Sequence, residues 1–217
     1  MSSTPRSKHY KVIYADPPWT FSTYSRKGKG RSAEAYYDCM TLADIKALPV
    51  SQWAADDCVL LLWTTDPLLE KAFEVIRAWG FTYKTVGFYW AKLKWPEPLY
   101  NDGNFFIGLG FWTRANPEPC LLATRGKPHR LSANVRKLIV SPRREHSRKP
   151  DEAYARIEAL CDGPYPRCLR APRGRDGIAG GSMPTCARSV HGVGRPTAIP
   201  TRRKLRINSC SSGFSKP

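Results

Sequence analysis

Tyr10-Lys11-Val12-Ile13-Tyr14-Ala15-Asp16-Pro17-Pro18-Trp19 is the stretch that decides how this chain folds. Residues 10–15 form a short apolar run of the kind a buried strand shows. Two consecutive prolines cannot continue a hydrogen-bonded ladder, so the strand has to stop at Asp16. The stop leaves a carboxylate, a rigid turn and a large aromatic ring at the carboxyl end of a strand. In open α/β sheets that end is where ligands bind.

On the carboxyl side, strands and helices alternate. Residues 20–35 are polar and basic, and the glycines within Ser25–Ser32 predict a loop rather than a helix. Thr41 is placed to cap a short helix over Leu42–Leu48, and Cys58–Trp63 reads as a second buried strand. Asp66-Pro67 is expected to open a helix as N-cap and first helical residue, with Leu69, Phe73, Ile76 and Trp79 near helical spacing and Gly80 as its stop. Tyr83–Lys92, Pro119–Thr124 and Leu138–Val140 read as further strands. Lys149-Pro150-Asp151-Glu152 starts a helix whose apolar face holds Ala153, Ile157 and Leu160. This alternation predicts a mostly parallel α/β sheet.

The length, 217 residues, allows one domain with a sizeable core. The net charge of +17 implies a polyanionic partner. It is unevenly spread: residues 166–217 hold eleven Lys and Arg against Asp176 alone, which is +10 of the +17 and leaves +7 for the rest. The seven cysteines form no C-x-x-C pair, which argues against a metal site or a disulfide framework and fits a reducing compartment. The N-terminal residues 1–9 lack an apolar signal core and are expected to be disordered, no apolar run approaches membrane-spanning length, and the expected location is the cytoplasm. No G-x-G-x-x-G follows a strand.

The end of the first strand suits methylation of an exocyclic amino group on a base. Asp16 and the Pro17 carbonyl can accept hydrogens of the amine and so aim its lone pair, and Trp19 can stack on a flipped base or pack in the core. Several segments, in order, resemble the DPPW-type adenine-N6 methyltransferases, a family that includes the catalytic subunit of the eukaryotic mRNA adenosine methyltransferase and many bacterial and phage DNA relatives. The segments are Val12–Trp19, Tyr37–Thr41 with Leu48–Val50, Leu60–Thr65, Trp79–Phe81, Trp90–Lys92, Gly108–Asn116, Glu118–Thr124 and Ser147–Glu152. They span residues 10 to about 165, about three quarters of the chain.

The resemblance implies a Rossmann-like methyltransferase sheet and S-adenosylmethionine as methyl donor. It places Asp16, Pro17, Pro18 and Trp19 in the catalytic segment and turns Lys149 toward the donor's carboxylate beside Asp16. A helix N-terminus plus an ammonium attracts an anion, so the local physics at Lys149 agrees. It puts Trp19, Tyr37, Lys92, Arg114, Asn116 and Glu118 on the substrate side, with Gly108 and Gly110 in a loop closing over the base. Packing for Tyr37, a surface lysine at Lys92 and plain ion pairing for Arg114, Asn116 and Glu118 stay open as alternatives. The partner is nucleic acid: DNA is preferred because compact relatives are often bacterial or phage enzymes, and RNA is the alternative.

After Tyr165 the resemblance stops. Relatives continue with a strand like Glu-Leu-Phe-Ala-Arg and a segment like Gly-Trp-Asp-Ser-Trp-Gly-Asn, whereas residues 166–217 are rich in Arg, Pro, Gly, Ser and Cys without a sustained period. On composition this stretch reads as disorder or linker. If Arg175–Ser182 is encoded CGG GAT GGG ATA GCT GGG GGA AGT, reading from the third base gives Gly-Trp-Asp-Ser-Trp-Gly-Lys. The same offset lets Pro166–Ala171 encode Glu-Val-Phe-Ala-Arg. The tail is therefore read as out of frame, with an unusual native tail as the alternative. The expected consequences are a sheet incomplete beside the Asp16 strand, a damaged donor side, and the rival reading of an inactive nucleic-acid-binding pseudo-enzyme.

Overall fold

The computed structural model describes residues 9–20, 39–96, 102–108, 110, 112–144, 148–164 and 169–170. Tyr37 and the basic loop residues Arg26, Lys27, Lys29 and Arg31 lie outside them.

Among the described residues, six strands form one sheet in the order β5-β3-β4-β2-β1-β6. They are β1 (Tyr10–Asp16), β2 (Ala54–Trp63), β3 (Thr82–Leu93), β4 (Glu118–Arg125), β5 (Leu138–Pro142) and β6 (Leu169–Arg170). β4 is antiparallel to both of its neighbours and the remaining pairs are parallel, so five strands run one way and β4 opposes them. The expected mostly parallel sheet is present, with one reversed strand at its centre.

Strand parity divides the core. Along β1, Ile13 and Ala15 face one side, where they pack with Leu60, Leu62, Ile76 and Trp79 around helices α1 (Leu42–Ala47) and α3 (Leu69–Ala78). A four-residue helix, α2 (Val50–Trp53), leads into β2 and was not anticipated from the sequence. Val12 and Tyr14 face the other side, with Leu61, Trp63, Phe88, Trp90 and Ile157 under helix α4 (Asp151–Leu160). Each fully buried aliphatic side chain contributes about 1.5–3 kcal/mol. Alternation continues through the end of the strand and delivers Asp16 to the α4 face.

Thr41 caps α1, its Oγ1 accepting from Asp44 N at 3.2 Å. The expected cap at Asp66 is corrected. Asp66–Leu68 winds as a 3₁₀ turn preceded by Thr65, and α3 follows from Leu69. Pro67 has no N–H to give and its fixed φ suits a first turn, so Asp66 lies inside the turn rather than ahead of it. Gly80 ends the segment at φ +79°, a conformation that suits glycine.

β6 modifies the reading of the tail. Leu169 and Arg170 pair in parallel with Ala15 and Asp16, so the sheet continues past β1 at these two described residues. α4 ends at Leu160 with Cys161 capping it, and β5 runs to Pro142 rather than Val140.

Candidate active site

The turn after β1 is fixed from several directions. Trp19 N donates to Pro17 O at 2.9 Å and Met40 N donates to Pro18 O at 2.9 Å. Trp19 also forms a parallel bridge with Met40, and its Nε1 donates to Trp63 O at 3.0 Å. The ring is 9% exposed and belongs to the core on the α1 and α3 side. Of the two places open to Trp19, stacking on a base or packing, this structure has it packed in the core with its N–H tied to the β2 backbone. Trp19 acts there as the bolt that holds the Asp16-Pro17-Pro18 turn against β2. The Pro17 carbonyl keeps one lone pair beyond its bond to Trp19 N.

On the α4 face, four alternating charges meet. Lys149 Nζ lies 3.0 Å from Asp16 Oδ1 and 2.5 Å from Glu118 Oε1. Lys92 Nζ lies 2.6 Å from Glu118 Oε2. The chain Asp16–Lys149–Glu118–Lys92 is therefore neutral in sum, and each Glu118 oxygen holds a different lysine. Side-chain exposure is 11%, 10% and 9% for Asp16, Lys149 and Glu118, and 21% for Lys92. Topology brings these groups together: β1, β3 and β4 each place one residue on the α4 face at the same end of the sheet, and the segment entering α4 supplies Lys149. Burial alone would push the Glu118 carboxyl up, but the Lys149 and Lys92 ammonium groups pull it down to about 2. Burial likewise opposes the charged form of Lys149, and Asp16 and Glu118 overcome it to hold that lysine protonated well above its usual range.

Two indoles form the floor. Lys149 Nζ lies 5.4 Å from the Trp63 ring centre and Lys92 Nζ 5.1 Å from that of Trp90. Trp63 Nε1 donates to the Tyr14 hydroxyl at 2.7 Å, locking the ring. Trp63 was legible only as part of an apolar strand, and its place under Lys149 depends on the β1–β2 register. Ser141, opposite Lys92 in the β3–β5 register, carries a buried hydroxyl with no hydrogen-bond partner among the described residues.

The Arg114, Asn116 and Glu118 series separates. Glu118 is buried in the charge chain, whereas Arg114 is exposed. Asn116 is occupied by backbone: Oδ1 accepts from Lys92 N at 3.2 Å, and Nδ2 donates to Lys92 O at 2.9 Å and Phe106 O at 2.6 Å. In this structure Asn116 clamps the backbone of β3 to that of Phe106. The clamp closes a loop in which Gly108 N donates to Ala115 O at 2.7 Å. A Cβ on Gly110 would lie 2.0 Å from Thr113 O, so the loop requires glycine there. At its tip Trp112 has φ +63° and is 106% exposed. A bulky residue held in left-handed backbone and displayed to solvent points to function rather than packing. Arg143 stacks on Phe106 at the base of the loop, 3.5 Å from the ring centre.

No helix among the described residues is long and apolar enough to cross a membrane. The MT-A70 family profile matches residues 10–173, eight residues beyond Tyr165. The type II methyltransferase M.MunI of Mycoplasma is 35% identical over 173 aligned residues, covering 72% of this chain and 67% of that protein. The human N(6)-adenosine-methyltransferase catalytic subunit METTL3 is 29% identical over 157 residues, and the Drosophila N(6)-adenosine-methyltransferase MT-A70-like protein 28% over 155. The matches cover 71% of this chain in each case, but only 24% and 23% of those two proteins. The matched span holds the carboxylate at the end of β1, the lysine that meets it from the entry to α4 and the segments between them, and the chain belongs to the MT-A70 family of methyltransferases.

Proposed function

We propose that this chain transfers a methyl group to the N6 amino group of adenine in DNA, using S-adenosylmethionine as donor. The observation that carries the proposal is Asp16, held at the carboxyl end of β1 and 3.0 Å from Lys149 at the entry to α4. The donor set suits the amino-acid end of S-adenosylmethionine: Lys149 for its carboxylate and Asp16 for its ammonium, at the N-terminus of a ten-residue helix. When bound, that donor supplies an electrophilic methyl group on sulfur.

Asp16 accepts a hydrogen of the adenine amine and turns the nitrogen lone pair toward the methyl group. The Pro17 carbonyl offers a second acceptor. Pro18 and Trp19 keep both acceptors in place. A strong base is not required, because the amine can lose its proton after transfer. The gain comes from proximity and orientation. Trp112 and Arg114 at the loop tip, with Arg143 at its base, form the rim that meets nucleic acid. DNA is preferred over RNA on proportion: the match covers 67% of M.MunI but only about a quarter of the METTL3-like chains. On this reading residues 10–165 are the catalytic unit, 166–217 an added tail, and the chain works in the cytoplasm.

A second reading, a noncatalytic nucleic-acid-binding protein, is favoured by one observation: residues 166–217 carry no strand or helix period with which to complete the donor side. Mass spectrometry for N6-methyladenine after incubation with S-adenosylmethionine and either DNA or RNA decides between them. Methylated DNA that vanishes with Asp16→Ala, at unchanged circular dichroism, supports the first reading. Product formed at an undiminished rate by Asp16→Ala overturns the catalytic assignment.

A further inference from the structure

Lys149 is shared unequally. Its ammonium is 2.5 Å from Glu118 and 3.0 Å from Asp16, so Glu118 competes with Asp16 for it. An incoming carboxylate would have to compete with Glu118 as well. What limits Glu118 is Lys92, which occupies the other carboxylate oxygen at 2.6 Å. Lys92 itself is held by its backbone, with Asn116 on both its N–H and its carbonyl and Phe106 N donating to that carbonyl at 2.8 Å. The surroundings are indole faces, Trp90 under Lys92 and Trp63 under Lys149, and in such weakly polar surroundings a neighbouring charge is felt more strongly than in water.

We propose that Lys92 is a positioning residue for Lys149: by taking one oxygen of Glu118 it keeps that carboxylate from capturing the Lys149 ammonium, which stays shared with Asp16 and open to the methyl donor's carboxylate. The proposal rests on the methyl-donor reading of Lys149 given above. It also replaces the direct substrate contact expected of Lys92, because the lysine is engaged inward by a buried carboxylate. Removing Lys92 leaves Glu118 with a single cation, and the chain of four charges then carries a net negative charge next to the donor's carboxylate.

The test is S-adenosylmethionine affinity by calorimetry on the full chain and three variants. Lys92→Met should weaken binding about tenfold, inside the usual range for one charge coupling to a neighbouring site. Lys92→Arg should stay close to the parent. Lys92→Met combined with Glu118→Gln should recover most of the loss, because the competitor goes with its restraint. Recovery is the outcome that neither a direct donor contact nor a folding defect predicts, and thermal melting of each variant checks the fold. Donor affinity unchanged in Lys92→Met, or a double variant as weak as the single, overturns the proposal. A parent that binds no S-adenosylmethionine overturns the donor reading instead. The positioning claim is then still read in crystal structures without donor: in Lys92→Met the Lys149 ammonium should leave Asp16 for Glu118, and an unmoved Lys149 overturns the claim.

Discussion

β1 has two flanks of different quality. Toward β2 it pairs from Tyr10 to Ala15, and beyond β2 lie β4, β3 and β5. Toward β6 it pairs, among the described residues, at Ala15 and Asp16. The inner flank is written by apolar strands that bury both faces. The outer flank is written by a tail with eleven basic residues, many prolines and glycines and no strand period. A parallel strand gains its stability from side chains packed on both faces, and residues 166–217 lack the sequence pattern that supplies them. Asp16 sits where the two flanks meet, one residue past Ala15, which pairs with Leu62 of β2, and itself paired with Arg170 of β6.

The largest effect should come from rewriting the outer flank. Replacing residues 166–217 with the shifted-frame sequence should tighten S-adenosylmethionine binding by about a hundredfold or more, because it returns a full strand and a second segment to the donor side. Equal, tight binding by both proteins would show that the tail as written is native and that the comparison of flanks has no functional content.

Acid should act on the inner flank. Glu118 is held down at about 2 against an ordinary 4.5. A carboxylate depressed on folding contributes stability that is fully present above about 4.5 and is lost as pH falls through about 2. The loss should be on the order of 3 kcal/mol across that window and should disappear in Glu118→Gln. Denaturant titrations at stepped pH measure it, and a parent and variant with parallel pH profiles would remove Glu118 from the stability of this flank.

The smallest effect concerns the bolt between β1 and β2. Trp19→Phe keeps most of the ring but leaves the Trp63 carbonyl without its donor, at a cost of about 1–2 kcal/mol in denaturant unfolding. Turnover should fall with it, since the turn that presents Asp16 loosens. A variant with parental stability but impaired nucleic-acid binding would restore the stacking role.

Much of this architecture is local and therefore readable from the chain. The strand and its stop at Asp16, the Thr41 cap, the Gly80 stop and the start of α4 after Pro150 each depend on a few neighbouring residues. Asp66 failed as a cap because the choice between a 3₁₀ and an α first turn depends on what the turn packs against. Trp19 was ambiguous in the same way: an indole after Pro-Pro can stack or pack, and only the position of the Trp63 carbonyl decides.

The sequence by itself determined that a carboxylate stands at the end of a buried strand, that a lysine precedes a helix, and that the last quarter of the chain lacks the pattern of a sheet. Tertiary structure decided that these groups meet. Asp16, Lys92, Glu118 and Lys149 are scattered over more than 130 residues, and no spacing links them. They converge because strand parity sends three of them to one face, the sheet order brings their ends together, and α4 crosses that face at its N-terminus. Ion pairing acts over a few ångströms of space rather than along the chain, so the partner of each charge was fixed only when the sheet closed.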